Sequence, residues 1–228
     1  TDVTTKQYVP SFIHSFVIIH ICDMNMSNYY DIDDVVDIKV VVVGSNTVGK
    51  TSAVRAFSGH SFLSSHEYQE TKDVLTTAIQ LKGNDPIVSA TFWDCSPQTF
   101  LQSPHEILHD AACIILAYDV CNYNSFLEAT KLWSNVIKPN LKQDNRLLFI
   151  MLLGCKTDLA TNRTVSIKEA EVFASKNSIF FMEISAKIGT NIDLTLTLLR
   201  IRSLNALSSE DSKNNGYTGN DNNNSSSN

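Results

Sequence analysis

The residues Gly44-Ser45-Asn46-Thr47-Val48-Gly49-Lys50-Thr51 carry the spacing G-x-x-x-x-G-K-[ST], which is that of a phosphate-binding loop. Gly44 and Gly49 let the backbone turn tightly and approach a ligand closely. The loop amides and the positive end of a following helix then face an anion. Lys50 can reach the β- and γ-phosphates, and the Thr51 hydroxyl can ligate Mg2+. The bland alternative is a chance match in a turn. Context argues against it: the β-branched run Val40 to Val43 ahead of the loop reads as a buried strand, and Ser52 to Phe57 behind it reads as a helix.

Three further segments could complete such a site. Asp94, in Trp93-Asp94-Cys95-Ser96-Pro97-Gln98, closes a strand, where a carboxylate near the phosphate loop can hold Mg2+ directly or through water; a turn-capping Asp is the structural alternative. Asp158, in Gly154-Cys155-Lys156-Thr157-Asp158, can accept two hydrogen bonds from the edge of guanine, where adenine has no matching donor pair; an ordinary loop carboxylate is the alternative. In Glu183-Ile184-Ser185-Ala186-Lys187 a backbone N–H can donate to a base oxygen.

These segments need a scaffold, and strand and helix signals alternate from Asp37 onward, which argues for an α/β fold with a mostly parallel sheet. Ile38 to Val43 reads as the first strand. Val74 to Leu81 and Ile87 to Trp93 read as two strands joined by the turn-rich Lys82 to Pro86. Cys113 to Tyr118, Leu147 to Leu153 and Ile179 to Met182 are short apolar strands. Helices are expected at Thr51 to Phe57, Ser125 to Lys138, Ser166 to Ser175 and Ile192 to Leu204, and Ser166 with Glu169 makes a capping box. Ser58 to Glu70 is polar and irregular.

The chain has 228 residues, of which 43% are hydrophobic, enough for the core of one globular domain. Its formal net charge of −6 and the lack of a basic run argue against nucleic acid or an acidic membrane surface as the main partner. Five cysteines without a C-x-x-C pair argue against a disulfide framework or a zinc site and for a reducing, cytoplasmic setting. Phe12 to Cys22 is apolar but too short to span a bilayer, and residues 1–25 read as an upstream extension ahead of Met26. Residues 1–36 are expected to be poorly ordered. Residues 205–228, rich in Asn, Ser, Gly and Asp, are expected to be a disordered tail.

Taken in order, GSNTVGKT, Thr71, DCSPQ, CKTD and SAK make the chain resemble the Ras superfamily of small GTPases, and the Rab branch most closely. Ile114 to Val120, Ser125-Phe126 and Glu169 to Ala174 also look Rab-like. The resemblance covers roughly residues 37–204. It implies a P-loop NTPase fold of the small GTPase type, a six-stranded, mostly parallel sheet with one antiparallel edge strand and helices on both faces. It implies GTP/GDP and Mg2+ as ligands, with Thr51, Thr71 and Asp94 on the metal. It implies that Lys156 lies over the base plane, that Asp158, Ser185, Ala186 and Lys187 surround the base, and that Gln98 orients the attacking water. For Lys156 the alternative is a solvated surface lysine, and for Thr71 a plain loop residue.

The departures bear on mechanism. Pro97 stands where the family has a switch II glycine whose N–H meets the γ-phosphate, and proline has no N–H. Asp73 replaces the glycine that normally follows the switch I threonine. Asn46 and Thr47 replace small residues and can crowd the γ-phosphate. Cys155 replaces an Asn that braces the phosphate loop, and cysteine is a poor hydrogen-bond former. No cysteine for prenylation lies near Asn228. The expected activity is slow GTP hydrolysis by a monomer that regulates vesicle-mediated transport through effectors, with an exchange factor and an activating protein as partners and stable membrane attachment through a partner protein or some other signal. A non-cycling interaction module that binds nucleotide structurally is the alternative; a P-loop kinase or ATPase has Asp158 and Ser185-Ala186-Lys187 against it.

Overall fold

A computed structural model describes residues 35–63, 74–81, 87–141 and 148–214, with the side chains of 74, 75, 77–79 and 206–214 excepted. Six strands form one sheet: β1 (Val35–Val43), β2 (Val74–Leu81), β3 (Ile87–Cys95), β4 (Ala111–Asp119), β5 (Phe149–Cys155) and β6 (Phe180–Glu183), in the order β2-β3-β1-β4-β5-β6. β1, β3, β4, β5 and β6 are parallel, and edge strand β2 runs antiparallel to β3. The expected small GTPase architecture is therefore present.

The valines of β1 are apolar on both sides because both faces of the sheet are covered. Val40 and Val42 pack with Ile115, Ala117 and Leu153 in one core. Val41 and Val43 pack with Ile114, Leu116 and Leu152 in the other. Helix α1 (Lys50–Phe57) and the last helix, α6 (Ile192–Asn214), contact each other on the first face. On the second lie α2 (Pro97–Gln102), α3 (Pro104–Leu108), α4 (Tyr123–Leu132) and α5 (Ile167–Asn177). The order of the strands reverses about β1, which has β3 on one side and β4 on the other. The carboxyl end of such a switch point is where open α/β sheets leave a crevice for ligands, and the phosphate loop follows β1 there.

Several elements differ from the sequence reading. β1 starts at Val35, inside the segment expected to be poorly ordered. The Ser96-Pro97 step, for which no helix was expected, starts helix α2. Pro97 is its first residue, where a missing N–H costs nothing, and Ser96 Oγ accepts from the Thr99 amide at 3.2 Å. α4 does not run evenly to Lys138; Trp133–Ile137 is a π turn in which the Lys138 amide donates to the Trp133 carbonyl, followed by a short turn Lys138–Leu141. Trp133 Nε1 donates to Asn177 Oδ1 of α5 at 2.9 Å. Ser166 caps α5 by accepting from the Glu169 amide at 3.2 Å, but the Glu169 carboxylate accepts from Tyr123 of α4 at 2.8 Å instead of completing the box. α6 continues to Asn214, beyond the Leu204 end expected for it. The Phe12 to Cys22 segment, the Lys82 to Pro86 connector, Thr71, Asp73 and residues 215–228 lie outside the described residues.

Candidate nucleotide site

The phosphate loop leaves β1 at Gly44 and enters α1 at Lys50. Gly44 has φ 144°, and a β-carbon on it would fall 2.2 Å from the Ala117 carbonyl oxygen of β4, so the loop lies against the next strand as only glycine permits. Gly49 has φ 111°, with the β-carbon of Cys155 3.3 Å from where its own would be. Thr47 has φ 61°, an outlying conformation for a β-branched residue. α1 begins without a side-chain cap and without an acidic residue in its first turn. Its first amides and its positive end are left for an anion. Lys50 is buried, and its Nζ donates to the carbonyls of Gly44 at 3.0 Å and Ser45 at 2.8 Å, which draws the ammonium back over the loop. Val48 is in the core and offers the site only its backbone.

Thr51 Oγ1 donates to the Asp94 carboxylate, and both residues are buried. This pair suits Mg2+, which takes oxygen ligands, one or two carboxylates at most, and completes its shell with phosphate and water. Among the described residues no group of three or more His, Cys, Asp or Glu offers a rival metal site. Gln98, the second residue of α2, is exposed.

At the base end a cavity of about 340 Å³ is lined by Gly49, Phe62, Lys156, Asp158, Ala186 and Lys187 among others. Ser185 is fully buried and its hydroxyl donates to Asp158 Oδ1 at 2.6 Å. The Thr157 amide donates to the Ile184 carbonyl at 3.3 Å, which ties the loop after β5 to that after β6. Arg163 forms a two-pronged ion pair with Glu183, at 2.7 and 2.8 Å, beneath these loops. Lys156 has φ 68°, and its Nζ lies 2.7 Å from Asp119 Oδ2. Burial pushes the Cys155 thiol up to about 12, and its Sγ finds only the Leu153 carbonyl of its own strand, at 3.9 Å.

The Ras family model matches residues 39–204, most of the chain. A curated relative, the Ras-related protein Rab-28 of Caenorhabditis elegans, is 34% identical over 169 residues, which cover 72% of this chain and 67% of that protein. The chain belongs to the Ras family. Membership implies guanine-nucleotide binding; the loop, the Thr51–Asp94 pair and the Asp158 cavity lie at the carboxyl ends of β1, β3 and β5.

Within this Ras-family site some residues behave differently from their expected roles. Ser45 and Asn46 line a second cavity of about 500 Å³, between the phosphate loop, α2 and α4, where Ser45 Oγ donates to the Glu128 carboxylate. For Ser45 that leaves the amide, not the hydroxyl, for a phosphate. Two residues on the base side were not singled out from sequence. Phe62 belongs to the sole apolar pair, Phe62-Leu63, in the polar Ser58 to Glu70 stretch, and that contrast was its signal. Asp119 is a carboxylate closing an apolar strand, the same feature that singled out Asp94.

Proposed function

We propose that the protein binds GDP and GTP with Mg2+, hydrolyses GTP slowly, and acts as a nucleotide-dependent switch whose effectors serve vesicle-mediated transport. The observation that carries the choice of base is Asp158: Ser185 fixes one carboxylate oxygen on the wall of a cavity shared with Ala186, Lys156 and the phosphate loop. The remaining acceptor capacity of that carboxylate suits the two donors on the guanine edge, and the Ala186 amide suits the 6-oxo group. Lys50 and the open start of α1 receive the β- and γ-phosphates. Thr51 and Asp94 would hold Mg2+, together with Thr71 by the family resemblance. When bound, the ion would offset the negative charge that develops on the phosphates during the reaction.

In hydrolysis a water oxygen bonds to the γ-phosphorus in line with the bridging oxygen, whose bond to that phosphorus breaks to release GDP and inorganic phosphate. Gln98 orients the water. Pro97, lacking an N–H, withholds one donor from the γ-phosphate and slows the step. The transport role rests on the likeness to a Rab protein. Among the described residues no helix is long and apolar enough to cross a membrane, and peripheral attachment to endomembranes runs through a partner in this reading.

The test is the nucleotide that co-purifies with the protein, followed by titration with GDP, GTP and ATP, single-turnover GTP hydrolysis, and hydrogen exchange of residues 63–76 and 95–106 in both states. Guanine selectivity lost in Asp158→Ala, phosphate release, and nucleotide-dependent protection are expected. Tighter binding of ATP than GTP refutes the base assignment. Absence of both turnover and protection refutes the switch and leaves a fixed interaction module.

A further inference from the structure

Asp119, the last residue of β4, is only 8% exposed, yet it is a carboxylate at the edge of a site built to attract anions. Both of its oxygens are engaged: Oδ1 accepts from the Cys121 amide at 2.8 Å, and Oδ2 meets Lys156 Nζ at 2.7 Å. Its own amide donates to Ser125 Oγ at 3.0 Å, which fastens the end of β4 to the start of α4. The carboxylate is thus held at both oxygens and the backbone that carries it is held as well, which makes it a rigid anchor for the lysine.

Lys156 needs such an anchor. Its backbone is left-handed, φ 68°, a conformation that lysine adopts at a cost. Its Cε lies 3.9 Å from where a β-carbon on Gly49 would stand, so the methylene stem fills the space between the phosphate loop and the base cavity. A lysine without a fixed partner samples many rotamers, and ordering it on binding weakens the complex. Asp158 lines the same cavity, and an unanchored Lys156 ammonium would be drawn to that carboxylate and occupy the acceptor the base requires. The neighbouring Cys155 supplies no hydrogen bond to the loop in compensation.

We propose that Asp119 is a positioning residue for the base: by pairing with Lys156 it presets the lysine stem as a wall of the cavity and keeps the ammonium away from Asp158. The proposal rests on the reading of this cavity as a guanine site. Asp119 acts only through Lys156, and the effect belongs to the base end, so it is equal for diphosphate and triphosphate.

The experiment is displacement of mant-GDP and mant-GTP from the purified full chain, followed by stopped flow. Asp119→Asn is expected to speed dissociation of both about tenfold, the strength of one charge-assisted hydrogen bond. Lys156→Met, which leaves the Asp119–Cys121 contact in place, is expected to do the same. Added to Lys156→Met, Asp119→Asn is expected to change the rate less than about twofold. A purely structural role for Asp119 would instead give the full effect in both backgrounds, and that result overturns the proposal. Unchanged dissociation in Asp119→Asn also overturns it while leaving the guanine site intact. If wild-type protein fails to prefer mant-GDP over mant-ATP, the cavity reading falls and takes this proposal with it.

Discussion

Replacing Pro97 by alanine separates two effects that the proline combines. Pro97 is the first residue of α2, and Ser96 Oγ already accepts from the Thr99 amide at 3.2 Å. An amide at that first position has no partner within a helix, so an alanine N–H there would be free to meet a phosphate oxygen while the cap on Thr99 stays in place. A hydrogen bond to a charged acceptor is worth about 1.5–3 kcal/mol. The ratio of GTP to GDP affinity should therefore rise about ten- to a hundredfold. Stability should move the other way. Losing proline at a compatible position costs about 0.4–1 kcal/mol through the unfolded chain, a drop of about 1–4 °C in the melting point of the nucleotide-free protein. Competition against mant-GDP measures the ratio, and a thermal melt measures the cost. Pro97→Gly should gain less, because glycine also weakens the first helical turn. A lower melting point with an unchanged affinity ratio would show that residue 97 lies out of reach of the γ-phosphate, and the argument from the missing amide would be wrong.

Gly44→Ala should destabilise by the upper part of the about 1–3 kcal/mol range for overpacking, since the new carbon meets a backbone oxygen at 2.2 Å and no rotamer relieves it; intact GDP binding at an unchanged melting temperature would mean the loop can draw away from β4. Arg163→Ala leaves the buried Glu183 carboxylate unpaired and should cost about 3–5 kcal/mol in urea unfolding; a loss below about 1 kcal/mol would show that water reaches Glu183. Stability should also fall in alkali. Burial raises the Cys155 thiol from 9.0 to about 12 and Cys113 higher still. Above pH 9 the unfolded chain releases protons that the fold retains, so stability that is complete below pH 9 declines by about 1.4 kcal/mol per pH unit for each thiol. Urea titrations at about pH 8 and pH 10.5 check this, and equal stabilities at the two would refute it.

The phosphate loop was legible because it is local: Gly44, Gly49 and Lys50 act through backbone turns and a helix end that a dozen contiguous residues encode. The inner strands were legible because Val40–Val43 of β1, Cys113–Tyr118 of β4 and Phe149–Leu153 of β5 are unbroken apolar runs. What escaped depends on strand order. Asp119 reaches Lys156 only because β4 lies beside β5, and Ser45 reaches Glu128 only because β1 lies beside β4 with α4 above them. α2 escaped for another reason. It is too short to show a helical period, and its start signal, a serine followed by proline, reads equally well as a break. Glu169 shows tertiary context overriding a local rule: its amide obeys the capping motif while its carboxylate serves Tyr123.

The wide turn from Trp133 to Ile137 carries one residue more than an α-helical turn would hold. Trp133 and Ile137, four residues apart, both face inward and would still share a face at a spacing of three, while Asn135 and Val136 border the second cavity. The chain can therefore be shortened by one residue here, at Ser134 for instance, and close into regular helix with the strain absorbed on the spot. The same excision in α5 has no slack to draw on and would swing every later side chain of that helix through about 100°.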